Sequence, residues 1–526
     1  MKKKALFILP IITLLSVTGC FETPKKVTVH YTVEDEYLIP TESGVNKVKN
    51  KYNYSDYTYN SVYNQSSCPS VGEPNILVIP IWFTDSSAFI KKKDQVREDI
   101  ETAYFGSAEE TGWESVSSYY EKDSFGHVSL KGVVSDWYEC GESSEDYYYS
   151  YKQVGPRSYV DVTAELVKKA VSWYKETNNT DLVDYDLDKD GYLDGVILIY
   201  GAPDCKSLGK PNEAQNLWGY TSWVLEKSQK SLTSPGANVF FWASYDFMYD
   251  QYSALTHAGS TYSQGDTSNS YVDSHCFIHE MGHVFGLQDY YDYNKYDPRE
   301  PAGTFSMQDY NVGAHDPFSR YALGWITPYL PTTSMDIDLK TIESSGEAIL
   351  LGNYFDGSPF DEYILLELYS PTGLNEFDTV NQYKGAYATG PEITGIRLWH
   401  VDARLFHFNN PLLSSKGNVT TNPYEKNVYN ATSNTSYSKY ENQAINLAGK
   451  YSYDTLYLVR KGNEQWSGEY PITDGALFVE GDTFTIRNFQ RQFPEKITFN
   501  SGKSFDWKIT VNSITGDTAN ISLKLG

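Results

Sequence analysis

Sulfur, positive charge and long hydrophobic runs are all scarce in this chain. Its 526 residues include only five cysteines and five methionines. Lys and Arg number 43 against 68 Asp and Glu, a formal net charge of -25 at pH 7. Such a surface repels nucleic-acid phosphates and anionic lipid headgroups, which excludes both as partners, and it is compatible with bound divalent cations. After the first twenty residues no apolar run of membrane-spanning length occurs, so the chain is expected to be anchored at one end and not embedded. Internal repeats and low-complexity tracts are lacking too, and 40% hydrophobic with 15% aromatic residues is the composition of a folded protein. Histidine is also rare, with nine in all, which makes a cluster of them informative.

The start of the chain reads as an export signal. Lys2, Lys3 and Lys4 precede the apolar run Ala5 to Val17, which is too short and too early for an ordinary membrane span. The run ends in Val17-Thr18-Gly19-Cys20, which resembles the lipobox of bacterial lipoproteins and implies cleavage to leave Cys20 lipid-modified at the N-terminus. An extracytoplasmic protein, held at a bacterial cell surface or membrane by that anchor, is expected. Four cysteines then remain, Cys68, Cys140, Cys205 and Cys276, and in an exported chain they permit two disulfides in three pairings.

The length predicts more than one domain. Residues 1–20 are the signal, and residues 21–70, rich in Lys, Tyr, Asn and Ser, read as a tether or pro-region. Residues 71–327 alternate strands and helices: Ile76 to Phe83, helices from about Lys93 and from Trp113, the strand from His127, a helix from Tyr159, and the strand Gly195 to Tyr200. That order predicts an α/β domain with a largely parallel sheet. Residues 202–270 read as an irregular insertion, in which Val239 to Ala243 is either core or an edge strand that pairs with extended substrate. Residues 328–526 show short β runs between turn residues, the pattern of a β-sandwich region, in one or two small domains.

The chemistry concentrates in His275-Cys-Phe-Ile-His279-Glu280-Met-Gly-His283-Val-Phe-Gly286-Leu-Gln-Asp289. On a helix, residues four apart share a face, so His279 and His283 can aim two imidazoles at one metal ion, with Glu280 beside them to hold a water. Ile278, Met281 and Phe285 fall on another face and can bury against the sheet. Gly286 permits a turn that swings Asp289 round as a third ligand. Glu300 is the alternative by spacing, but Pro298 and Pro301 make a helix there implausible, and Asp289 is the better choice.

The extended motif HExxHxxGxxD resembles that of metzincin-type peptidases with Asp in place of the usual third His, in particular the immune inhibitor A family. Ser117 to Gly126, Gly303-Thr-Phe-Ser-Met307, His315 to Trp325 and Leu398-Trp-His-Val-Asp402 are similar to family segments along most of the exported chain. The resemblance implies a metzincin-like catalytic domain with a twisted, mainly parallel sheet. It implies zinc on His279, His283 and Asp289, Glu280 as general base for an attacking water, and Met307 in a Met-turn that floors the site. An anionic Asp ligand leaves zinc a weaker Lewis acid, so another oxyanion donor gains importance. Several metzincins place a tyrosine two residues after the methionine; here position 309 is Asp, and Tyr310, one residue later, is the candidate donor.

Asp186-Leu-Asp188-Lys-Asp190-Gly191-Tyr192-Leu-Asp194 matches the first nine positions of an EF-hand-type loop, with carboxylates at alternate positions and the Tyr192 carbonyl at the seventh. Position twelve is Ile197 in a strand, so the expectation is a structural calcium loop, similar to the family's Asp-rich loop. His400 and Asp402 share a strand face with Ile396 and Leu398 and read as a buried pair rather than a second metal site. Cys68 could block zinc as a thiolate in a latent form, although disulfide pairing explains it more simply.

The leading function is a zinc endopeptidase that hydrolyses extracellular or envelope proteins. The alternative is a surface adhesin or glycan-binding protein with a structural metal. Three protein ligands beside Glu280 favour the enzyme, since a structural zinc usually has four.

Overall fold

Near-continuous apolar runs make the central strands. Asn75–Trp82 and Gly195–Tyr200 are buried on both faces over almost their whole length, as strands in the middle of a parallel sheet must be. The structure, a computed structural model, describes residues 29–52, 64–148, 159–249, 272–293, 300–383, 389–408, 417–424, 428–430, 432–435, 454–461, 472–488 and 498–526. Cys20 and the export segment lie outside the described residues.

The first sheet runs in the order Lys131–Val134, Asn75–Trp82, Gly195–Tyr200, Val239–Ser244, Tyr220–Trp223, and every neighbouring pair is parallel except the last. Its two faces follow the alternation of side chains along a strand. Ile76 and Val78 pack with Phe277, Ile278, Met281 and Phe285 of the segment that carries the HExxH motif. Leu77, Ile79 and Ile81 pack on the opposite face with Leu166, Val167 and Ala170 of the helix Tyr159–Asn178. This is the mixed α/β arrangement with a largely parallel sheet expected from the sequence. Val239–Ser244 is an interior strand, every residue buried between two neighbours. The edge on that side is the antiparallel Tyr220–Trp223, and Val239–Ala243 is paired on both sides.

Beyond residue 328 two antiparallel sheets face each other. One has the order Ile349–Leu351, Glu362–Tyr369, Gly395–Asp402, Leu456–Val459; the other Thr483–Phe484, Trp507–Thr515, Thr518–Leu525, Met335–Lys340. Ile364, Leu366 and Leu368 point into the sandwich with Trp507, Ile509 and Ile521. Tyr363, Leu365 and Tyr369, on the alternate positions, join the core under the HExxH helix. Glu362–Tyr369 and Gly395–Asp402 are therefore buried along both faces, and one hydrophobic core runs from the α/β region into the sandwich.

Residues 29–52, which the sequence assigns to a tether or pro-region, are built into this junction. Leu38–Ile39 pairs with Lys47–Val48, the Val48 amide donates to the Pro328 carbonyl at 2.9 Å, and Asn50 Nδ2 donates to the Ala322 carbonyl at 2.6 Å. Backbone pairing, the Asn50 amide and scattered apolar side chains, Val29 and Val48 buried among them, hold the segment. Among the described residues no helix is long and apolar enough to cross a membrane.

All four remaining cysteines are free thiols, and neither expected disulfide is formed. The sheet separates them: Cys68 and Cys276 belong to the core beneath the HExxH helix, Cys140 and Cys205 to the core on the other face.

Candidate metal centre

The HExxH motif lies on the helix His275–Val284, buried along nearly its whole length. The helix ends at Phe285, and Gly286 takes a φ of +103°, a left-handed backbone conformation that a side chain would strain. The Leu287 amide bonds back to the Gly282 carbonyl at 3.0 Å, and the reversed chain brings Asp289 over the two histidines.

Asp289 Oδ1 sits 3.0 Å from His279 Nε2 and 3.1 Å from His283 Nε2, and the two Nε2 atoms are 3.2 Å apart. An ion held tetrahedrally about 2.0–2.2 Å from each of three ligands would space them roughly 3.3–3.6 Å apart, close to this triangle. The opposite ring nitrogens fix the tautomers. His279 Nδ1 donates to the Met307 carbonyl at 2.7 Å and His283 Nδ1 to the Leu287 carbonyl at 2.9 Å, leaving both Nε2 lone pairs turned toward Asp289. Two ring nitrogens and a carboxylate oxygen converging in a buried space favour positive charge between them, a proton or a metal ion, and the donor set fits zinc. Burial pulls the His283 imidazole down, but the Asp289 carboxylate outweighs it and lifts the ring to about 9. Burial raises Asp289 in turn, and the two imidazoles more than offset it, holding its carboxyl well below the usual range.

Glu280 stands beside this triangle, with ligand atoms of His279, Glu280 and His283 all within 4.8 Å of one another. Burial pushes its carboxyl up, and the Thr221 hydroxyl of the edge strand lies 3.4 Å from Oε2. A Cβ on Gly219, just before that strand, would lie 3.5 Å from Glu280 Oε1, so the chain passes close in front of this carboxylate.

Met307 is fully buried beneath the helix. The Tyr310 hydroxyl, the candidate oxyanion donor, donates to Glu300 Oε1 at 2.8 Å. Glu300 is held there and is no part of the histidine triangle. The tyrosines that reach the triangle are two the sequence reading missed. The Tyr293 hydroxyl donates to Asp289 Oδ2, and the Tyr291 ring packs 6.4 Å from the His279 ring. Their only sequence signal is their place within four residues of Asp289.

In the acidic loop, oxygens of Asp186, Asp188 and Asp194 lie within 4.8 Å of one another. Asp186 Oδ1 is buried without a hydrogen-bond partner. Burial and then the neighbouring carboxylates lift Asp188 to about 7 and Asp194 to about 8. Asp190 is not in that cluster; its Oδ1 accepts the Tyr192 amide at 2.8 Å, while the Tyr192 hydroxyl accepts from Asn64 Nδ2.

His400 Nε2 lies 2.9 Å from Glu362 Oε1, and Asp402 binds the Arg404 guanidinium, so each of the two has its own buried partner. Cys68 Sγ faces the Pro69 carbonyl, and burial pushes its thiol well up, away from the thiolate a latency switch needs.

The model of the immune inhibitor A peptidase M6 catalytic domain matches residues 83–234, a span that holds the acidic loop and the edge strand and ends before the HExxH helix. The pre-pro-metalloprotease PrtV of Vibrio cholerae serotype O1, from strains M66-2 and El Tor Inaba N16961, is 23% identical over 211 residues, 37% of this chain. The match covers about a fifth of that relative's length, 20%. Over residues 83–234, the chain is similar to the immune inhibitor A peptidases.

Proposed function

We propose that this chain is a zinc-dependent endopeptidase acting on extracellular or cell-envelope proteins. The observation that carries the reading is the convergence of His279 Nε2, His283 Nε2 and Asp289 Oδ1 beside the buried carboxyl of Glu280. Three protein ligands suit a catalytic rather than a structural site. Zinc held there supplies Lewis acidity toward a water and the scissile carbonyl.

The remaining work falls to the chain. Glu280 takes a proton from the attacking water and returns it to the leaving amine, a role suited to a carboxyl whose affinity for protons is raised by burial. The Thr221 hydroxyl orients that carboxylate. The outer edge of Tyr220–Trp223 offers main-chain groups to an extended peptide directly above Glu280. The acidic loop holds calcium, which stiffens the entry to Gly195–Tyr200 and takes no part in hydrolysis. The lipid anchor at Cys20 belongs to the same reading and places the enzyme at the outer face of a membrane.

Casein or gelatin hydrolysis, with and without chelator, tests the proposal together with Glu280→Ala. The variant should bind zinc as the wild type does and lose about 10³-fold in kcat. A wild type that binds zinc and cleaves nothing across a broad peptide library would favour the adhesin reading.

A further inference from the structure

We propose that Tyr293 is a positioning residue that ties up the second oxygen of Asp289, so that this ligand engages the metal through one oxygen and a coordination position stays open. The inference rests on the zinc reading above.

A histidine in the third position could offer only one atom, but a carboxylate has two equivalent oxygens. Asp289 chelating through both would, with two imidazoles, occupy four positions, so that a retained water becomes a crowded fifth ligand and no tetrahedral position is left for it or for substrate. The structure separates the two oxygens by partner. Oδ1 faces both imidazole Nε2 atoms, at 3.0 and 3.1 Å. Oδ2 accepts the Tyr293 hydroxyl. A hydrogen bond to the outer oxygen also withdraws charge from the carboxylate, which offsets the loss of Lewis acidity that an anionic ligand causes.

Tyr293 is held by packing and not by its own loop alone. Its ring lies 5.2 Å from that of Tyr291, whose hydroxyl bonds to it in turn. The Tyr291 ring also packs 6.4 Å from His279 and 5.8 Å from Tyr310, and Tyr310 is fixed to Glu300. Three tyrosines thus form a wall from which the Tyr293 hydroxyl reaches Asp289. Tyr310 serves as a buttress in that wall.

The test compares the full-length wild type with Tyr293→Phe and Tyr291→Phe. Zinc affinity is read by competition with a chromophoric chelator, and coordination by the visible absorption of the cobalt-substituted protein, which weakens as cobalt gains a fifth ligand. Tyr293→Phe should lose about tenfold to a hundredfold in zinc affinity, show weaker cobalt absorption, and lower kcat with KM unchanged. Tyr291→Phe keeps the bond to Asp289 and should keep the wild-type cobalt spectrum. If Tyr293→Phe does not fold, Tyr293→Leu, which has neither a hydroxyl nor a metal-binding atom, gives the same readouts. Wild-type zinc affinity and cobalt spectrum in the Tyr293 variant would overturn the inference, while a wild type that takes up no zinc would overturn the metal reading beneath it.

Discussion

His279 Nδ1 donates to the carbonyl oxygen of Met307 across 2.7 Å, so the turn after Gly303 sets the angle of the first metal-facing ring. The same turn touches the helix at a second point. Gln308, fully buried, lies against Gly282, where a Cβ would come within 2.1 Å of its Oε1. Gln308 Oε1 is itself 3.1 Å from His315 Nε2, and His315 Nδ1 is 2.7 Å from Asp123 Oδ2. Turn and helix are keyed together by one hydrogen bond and one missing side chain.

Gly282→Ala should therefore push the turn away from the helix. A cost of about 1–3 kcal/mol is expected from overpacking, with a fall in zinc affinity as the Met307 carbonyl leaves His279. Urea denaturation and a zinc titration measure both; unchanged values would show that Gln308 swings aside freely.

His275, at the start of the helix, has Asp273 Oδ1 at 2.7 Å and Asp378 Oδ1 at 3.2 Å, and its ring stacks 4.1 Å from that of Trp113. Burial pulls the imidazole down, but Asp378 and Asp273 lift it from 6.5 to about 9. The folded state binds this proton more tightly than the unfolded one. Its contribution, on the order of 3 kcal/mol, is complete below pH 6.5 and lost as pH rises through 9. His275→Gln should melt well below the wild type at pH 6, and the gap should close near pH 10.

Calcium should raise the melting temperature. At a hundred times its dissociation constant a bound ion adds about 2.7 kcal/mol. Asp188→Asn, in the most exposed of the three clustered carboxylates, should abolish most of that rise while leaving the calcium-free melt little changed. A wild-type melt indifferent to calcium would refute the site.

A chain ending at residue 327 should not fold. Leu365, Trp399 and Leu458 belong to the core under the HExxH helix, and Arg320 loses Glu343, its partner at 3.0 Å, while staying paired with Asp123. Expression of residues 64–327 should give aggregates or a non-cooperative melt; a soluble fragment with a sharp transition would contradict the shared core.

The sequence made His279, Glu280, His283 and Asp289 legible because a four-residue step on a helix and a glycine after it define geometry locally. The strands Asn75–Trp82 and Gly195–Tyr200 were legible as apolar runs. The edge strand was not: Tyr220–Trp223 is four residues long, half-exposed, and set in a segment rich in turn residues. Tyr293 carries no motif, since what places it is the packing of Tyr291 and Tyr310. An even number of cysteines suggested disulfides, but spacing says nothing about which face of a sheet a thiol occupies. Residues 29–52 join the fold through backbone bonds and a few scattered buried side chains such as Val29 and Val48, which leave no periodic trace.

The helix Leu374–Val380 belongs by sequence to the β region, yet its Asp378 accepts the Gly313 amide at 2.7 Å and its Asn375 accepts the Ala314 amide at 3.0 Å. The two halves are thus not interchangeable parts. A chimera that takes its sandwich from another protein would have to transplant this helix along with its footing, or the donor would supply the right architecture and leave the loop above the catalytic floor unsupported.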